Sequence, residues 1–179
     1  MRDGTSPDDI PGDPEQDIGD PDSVARAICL RQLAQRARSR AELATALRKR
    51  GVPDAAATRV LDRFVEVGLI DDVALAVGYA EAQHQERGLS RRAVAGKLRQ
   101  RGLADQADAA LAGIDADDER VRAEQLVAKR LRSLTGLPTE VQARRLVGLL
   151  ARKGYSSGLA YAVVRQALAA DLDLLAERS

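Results

Sequence analysis

Catalytic and metal chemistry draws on a short list of side chains, and this sequence holds few of them. It has one histidine, His84, and one cysteine, Cys29, so the chain alone cannot build a disulfide framework or a His/Cys metal site. A Ser–His–Asp or Cys–His centre would have to use His84, and no nucleophile-elbow motif lies near it. His84 follows Val73, Val77 and Ala80 at helical spacing, which predicts a place at the edge of a packed face. Cys29 stands between Ile28 and Leu30 and reads as a small hydrophobe. Asp71 and Asp72 have the residue type of paired catalytic carboxylates, but they immediately precede an apolar run, where carboxylates cap helices. These residues predict no enzyme, no metal and no cofactor.

Positive charge is what the chain offers in quantity. Its 28 Lys+Arg against 27 Asp+Glu sum to only +1, but the charges are segregated. Residues 1–22 carry eight acids and one base, net −7, whereas residues 23–179 carry 27 bases and 19 acids, net +8. Three basic clusters stand out: Arg40, Arg48, Lys49 and Arg50; Arg91, Arg92, Lys97, Arg99 and Arg101; Arg144, Arg145, Arg152 and Lys153. Such groups contact acidic protein surfaces or, without regard to base sequence, DNA phosphates. Solvated helix faces carry cations too; recurrence of the clusters at a fixed period favours a contact role. The aromatic residues Phe64, Tyr79, Tyr155 and Tyr161 are too few to stack successive bases.

That period belongs to the elements that must position the cations. Leu43-x-x-x-Leu47-Arg48-Lys49-Arg50-Gly51-Val52 is echoed by Val94-x-x-x-Leu98-Arg99-Gln100-Arg101-Gly102-Leu103 and by Leu146-x-x-x-Leu150-Ala151-Arg152-Lys153-Gly154-Tyr155. Each reads as a helix end: a basic last turn, a glycine for the left-handed C′ position, and an apolar residue folding back. Ser39-x-x-Glu42 and Thr139-x-x-Gln142 read as capping boxes, and Ser90 caps the middle copy. A further helix follows each glycine, and another precedes each capped helix, near 24–38, 72–87 and 118–133. The fold class expected is all-α: three tandem three-helix repeats in an elongated, curved array. The repeats are placed at 23–70, 71–116 and 117–170, between a disordered acidic tail at 1–22, rich in proline, and a C-terminal tail at 171–179.

With the repeat in place, Gly68-Leu69-Ile70-Asp71-Asp72-Val73-Ala74-Leu75-Ala76 resembles the segment joining the first two repeats of the bacterial RecX regulatory proteins. Arg87-Gly88-Leu89-Ser90-Arg91-Arg92, with Leu98 and Gly102, resembles that family's second repeat, and Leu150-x-x-x-Gly154-Tyr155 the end of its third. The likeness covers about residues 24–168. Leu75 stands where the family usually has Phe, and the acidic tail lies outside the pattern.

The resemblance implies a cytoplasmic, non-enzymatic negative regulator of the RecA recombinase, active in DNA repair, recombination and the SOS response. Such proteins bind in the groove of the RecA–DNA filament and inhibit ATP hydrolysis, strand exchange and coprotease activity. The partner expected is therefore the RecA filament, with DNA phosphates as a further contact, no membrane, and a monomeric chain. Three-helix units with basic helices also suit a helix-turn-helix-like DNA-binding protein acting without RecA, or a helical scaffold for some other acidic protein. The −7 and +8 halves raise a further expectation, that the tail competes for the basic strip.

Overall fold

The computed structural model describes residues 20–176, with side chains through Asp171. Among the described residues there are nine α-helices and no strand: α1 (Pro21–Gln35), α2 (Arg40–Lys49), α3 (Asp54–Glu66), α4 (Asp72–Gln85), α5 (Arg91–Gln100), α6 (Ala107–Leu111), α7 (Ala116–Leu131), α8 (Thr139–Arg152) and α9 (Ser157–Ala176). A 3-10 turn, Arg132–Leu134, extends α7. Residues 1–19 of the acidic stretch lie outside the described residues, whereas its last three begin α1. The Asp20 carboxylate accepts from the Asp22 and Ser23 amides, Pro21 occupies the first turn, where a missing N–H costs nothing, and Asp22 pairs with Arg59 of α3 at 2.6 Å. At the other end α9 continues to Ala176, within the stretch read as a C-terminal tail.

The three helix endings form alike. The amide of Val52 donates to the Leu47 carbonyl, that of Leu103 to Leu98 and that of Tyr155 to Leu150, each alongside a glycine amide bonded three residues back. Gly51, Gly102 and Gly154 hold φ of 75°, 70° and 89°, and the apolar residue after each is buried. The starts differ. Ser39 and Glu42 form a full capping box and Ser90 accepts from the Ala93 amide. The box expected at Thr139 does not form. Pro138, at φ −54°, leads directly into the helix, so Thr139 is a helical residue and cannot cap, while Gln142 donates to the Leu137 carbonyl at 2.8 Å. As a result α8 has 14 residues, against 10 in α2 and in α5.

Each helix triplet closes on its own core. Ala25, Ile28, Cys29, Leu43, Leu47, Val60 and Phe64 fill the first; Ala76, Ala80, Val94, Leu98 and Leu111 the second; Val127, Leu146, Leu150, Val163 and Val164 the third. Burying one leucine or valine side chain in such a core contributes about 1.5–3 kcal/mol. Cys29 is fully buried, and burial raises its thiol pKa, in keeping with a packing role. Leu75 packs against the second core.

The valines of α4 depart from the periodicity. Its buried face runs through Ala76, Ala80, Gln83 and His84, leaving Val73 and Val77 at 55% and 37% exposure. Small alanines let α4 approach its neighbours closely, and α6, only five residues long, leaves Val77 lining an open cleft. His84 is therefore not at an edge: it is 1% exposed, and its Nδ1 donates to the Leu89 carbonyl at 2.8 Å. Val67 is also exposed, because it follows the last residue of α3.

Candidate partner-binding surface

The three basic helices α2, α5 and α8 do not lie side by side; they meet end to end. At the first seam the Ser39 hydroxyl, which caps α2, also donates to the Arg101 carbonyl at the end of α5, at 2.6 Å. At the second seam the Ser90 amide, at the start of α5, donates to the Lys153 carbonyl at the end of α8, at 3.0 Å. Each junction sets the negative end of one helix dipole against the positive end of the next. The helices thus form a head-to-tail spine, in the order α8, α5, α2. Their lengths of 10, 10 and 14 residues amount to roughly 50 Å of helix at 1.5 Å per residue.

Acids seal the same junctions. Asp72, read as a cap of its own helix, caps another: its Oδ1 accepts from the Arg40 amide at the start of α2, at 3.0 Å, while Asp71 caps α4 through the Ala74 amide. Glu119 of α7 does for the Arg91 amide what Asp72 does for Arg40, at 2.9 Å. The glycines complete the fit. A Cβ at Gly102 would stand 2.3 Å from the Ala41 Cβ, and one at Gly154 would stand 2.7 Å from the Ala93 Cβ. Gly51 meets no other module among the described residues, and nothing there lies within 4 Å of its Cβ position.

These junctions divide the thirteen candidate cations. Arg101 donates to Glu42 at 2.8 and 3.2 Å and to the Ala37 carbonyl, and its guanidinium lies over the Tyr79 ring at 4.8 Å. Burial alone would raise the Glu42 carboxyl. Hydrogen bonds from Arg101, the Ser39 amide and Arg36, with the charge of Arg101, outweigh it and hold the pKa at about 2. Lys153, in the same register as Arg101, reaches the Arg87 carbonyl across the second seam. Arg91 donates to the Leu111 and Ile114 carbonyls at 2.5 and 2.7 Å, tying α5 to the end of α6, and Arg40 pairs with Asp62. These four hold the fold.

The other nine, Arg48, Lys49, Arg50, Arg92, Lys97, Arg99, Arg144, Arg145 and Arg152, have no hydrogen-bond or ion-pair partner for their side chains among the described residues. All are exposed except Lys97, which is half-buried. Arg92 and Arg99, and likewise Arg145 and Arg152, stand seven residues apart and share a helix face. The spine therefore carries free positive charge on each of its three helices.

Residues 25–64 match the family model described as the first three-helix domain of RecX, and residues 117–164 the third. A regulatory protein RecX from Thermobifida fusca is 51% identical over 148 residues, covering 82% of this chain and 80% of that one. The chain belongs to the RecX family. The regulatory protein RecX of Streptomyces coelicolor is 52% identical over 150 residues, covering 83% and 80%, and that of Mycolicibacterium smegmatis 47% over 171 residues, covering 92% and 91%. A regulatory role of the RecX kind comes with that membership. A crystal structure of RecX from Lactobacillus salivarius superposes with a TM-score of 0.71 at 16% identity, covering 82% of this chain and 96% of that one; at this identity the likeness shows the fold.

Cations outside the expected clusters also line the seams. At the first seam a cleft of about 600 Å³ is lined by Arg38, Lys49 and Arg99, and the Arg38 Nε is buried there without a partner. At the second, the run Lys129-Arg130-x-Arg132 at the end of α7 was the available signal. It has no counterpart at the repeat period, so a search by period passes over it.

Proposed function

We propose that the chain is a negative regulator of the RecA recombinase, acting by occupying the groove of the RecA–DNA filament rather than by catalysis. The observation that carries this reading is the head-to-tail spine of a RecX-family protein, with nine unpartnered cations spread along its three helices among the described residues. A protein groove that follows a helical filament presents the same acidic features once per protomer. Three modules joined end to end engage several such features, each weakly, and the contacts add through high effective concentration. A chain so seated ties neighbouring protomers together and obstructs the second DNA strand. It would lower ATP hydrolysis, strand exchange and coprotease activity as one effect, at the filament, as a single copy and in the cytoplasm. No helix among the described residues is long and apolar enough to cross a membrane.

The test is co-sedimentation of the full chain with RecA filaments on single-stranded DNA. Wild type pellets with the filament, and R92E/K97E/R99E weakens binding at least tenfold while melting at the wild-type temperature, since none of the three supports the fold. Unchanged affinity in that variant overturns the assignment of the spine as the contact surface. Tight, sequence-selective DNA binding without RecA would favour a helix-turn-helix-like protein instead.

A further inference from the structure

The second seam holds a cleft of about 870 Å³ between the end of α4, α7 and α8. We infer that this cleft is a binding site for the phosphodiester backbone of single-stranded DNA, a contact made without RecA and additional to the spine.

Six cations line it, Arg87, Arg122, Lys129, Arg130, Arg132 and Lys153, against one acid, Glu86. Arg130 donates to the Ser133 hydroxyl at 3.2 Å, and the other five fall into two sets. Arg122 is held by the His84 carbonyl at 3.3 Å and by the Gln85 carbonyl, and Lys153 by the Arg87 carbonyl. Neutral carbonyls fix these side chains in place without cancelling their charge, so the floor is a preset positive field. Arg87, Lys129 and Arg132 are exposed above it, with no ion-pair partner among the described residues. Cations at the ends of α4 and α7 complement the helix dipoles, but one or two per end suffice for that. Like charges drawn into one concavity repel each other, and the repulsion is relieved when a ligand supplies several negative charges at close spacing.

A phosphodiester chain does so once per nucleotide. An acidic peptide matches it only where carboxylates crowd together, at a cost in their own repulsion. No aromatic ring lines the cleft, so bases find no stacking platform and binding would ignore their identity.

Fluorescence anisotropy of a labelled oligothymidylate, titrated with the full chain in the absence of RecA, tests the site. Wild type binds, and R87E/K129E/R132E binds at least tenfold more weakly. Losing three phosphate contacts lowers the slope of log K against log salt by about 2. The matched reversal R26E/R31E/R63E, on exposed positions of α1 and α3 outside both the spine and the cleft, changes affinity no more than about threefold. If both variants lose affinity equally, or wild type does not bind, the site is refuted. It is refuted too if polyglutamate at equal charge displaces the oligonucleotide as well as unlabelled oligothymidylate does. Should the triple reversal melt early, K129Q/R132Q carries the same comparison with a smaller expected loss. Filament binding measured in parallel keeps the two claims apart: loss of oligonucleotide binding with co-sedimentation intact touches only this site.

Discussion

Arg50, Arg101 and Lys153 stand in one register of the repeat, one residue before the C′ glycine, yet they do different work. Arg101 and Lys153 each reach back across a seam, whereas Arg50 meets no other module and has no side-chain partner among the described residues. The sequence shows all three as equivalent last-turn cations, because a register says which residues are alike and not which face another copy of the repeat. Asp72 carries the same lesson: its type and position announced a cap, while the helix it caps lies 32 residues earlier. The Arg101–Glu42 pair has a measurable consequence. The Glu42 carboxyl is depressed from an ordinary 4.5 to about 2, so its contribution is present above the unfolded value and lost as the pH falls through that window. Between pH 5 and 2 the wild type should lose at most about 3 kcal/mol from this group. E42Q, less stable at neutral pH, should show a shallower fall over the same range. Parallel stability curves from urea unfolding at stepped pH would contradict the assignment.

At the scale of elements, the helix ends were the most legible feature, since a glycine in the left-handed region, a basic last turn and a buried apolar residue all leave marks in sequence. The second use of those glycines was not legible. Gly51 satisfies a backbone angle alone; Gly102 satisfies the same angle and also admits Ala41 at close approach. Ala at position 51 should therefore cost about 1–2 kcal/mol, the ordinary penalty for a left-handed L-residue. G102A should cost at least twice as much by thermal or urea unfolding. Adding Ala41→Gly should regain part of the G102A loss and none of the G51A loss; equal costs at the two glycines would mean that the seam is looser than it stands here. The buried face of α4 departs from the valine spacing for a related reason. Valine draws attention as a core residue, but Ala76 and Ala80 lie where helices approach most closely, and a five-residue α6 cannot cover the valine flank. At α8, Pro138 moved the helix start and removed an expected cap.

The whole molecule is a spine of three helices laid end to end, opposite in order to the chain, with a three-helix core around each. Repetition and helical content were readable from residue spacing, and the family from the likeness of the stretches 68–76 and 87–92 to known members. The end-to-end arrangement was not, because it depends on contacts between residues about 60 apart, such as Ser39 with Arg101 and Ser90 with Lys153. That arrangement sets the three basic clusters in one line, and it is the physical basis for proposing that the chain lies along a filament. The most direct measurement is RecA ATP hydrolysis on single-stranded DNA as the full chain is titrated in. Hydrolysis should fall toward a low plateau as the chain approaches stoichiometry with RecA protomers, and R92E/K97E/R99E should need at least tenfold more protein for the same effect. Hydrolysis that stays at its starting rate beyond stoichiometric wild-type protein would contradict the proposal.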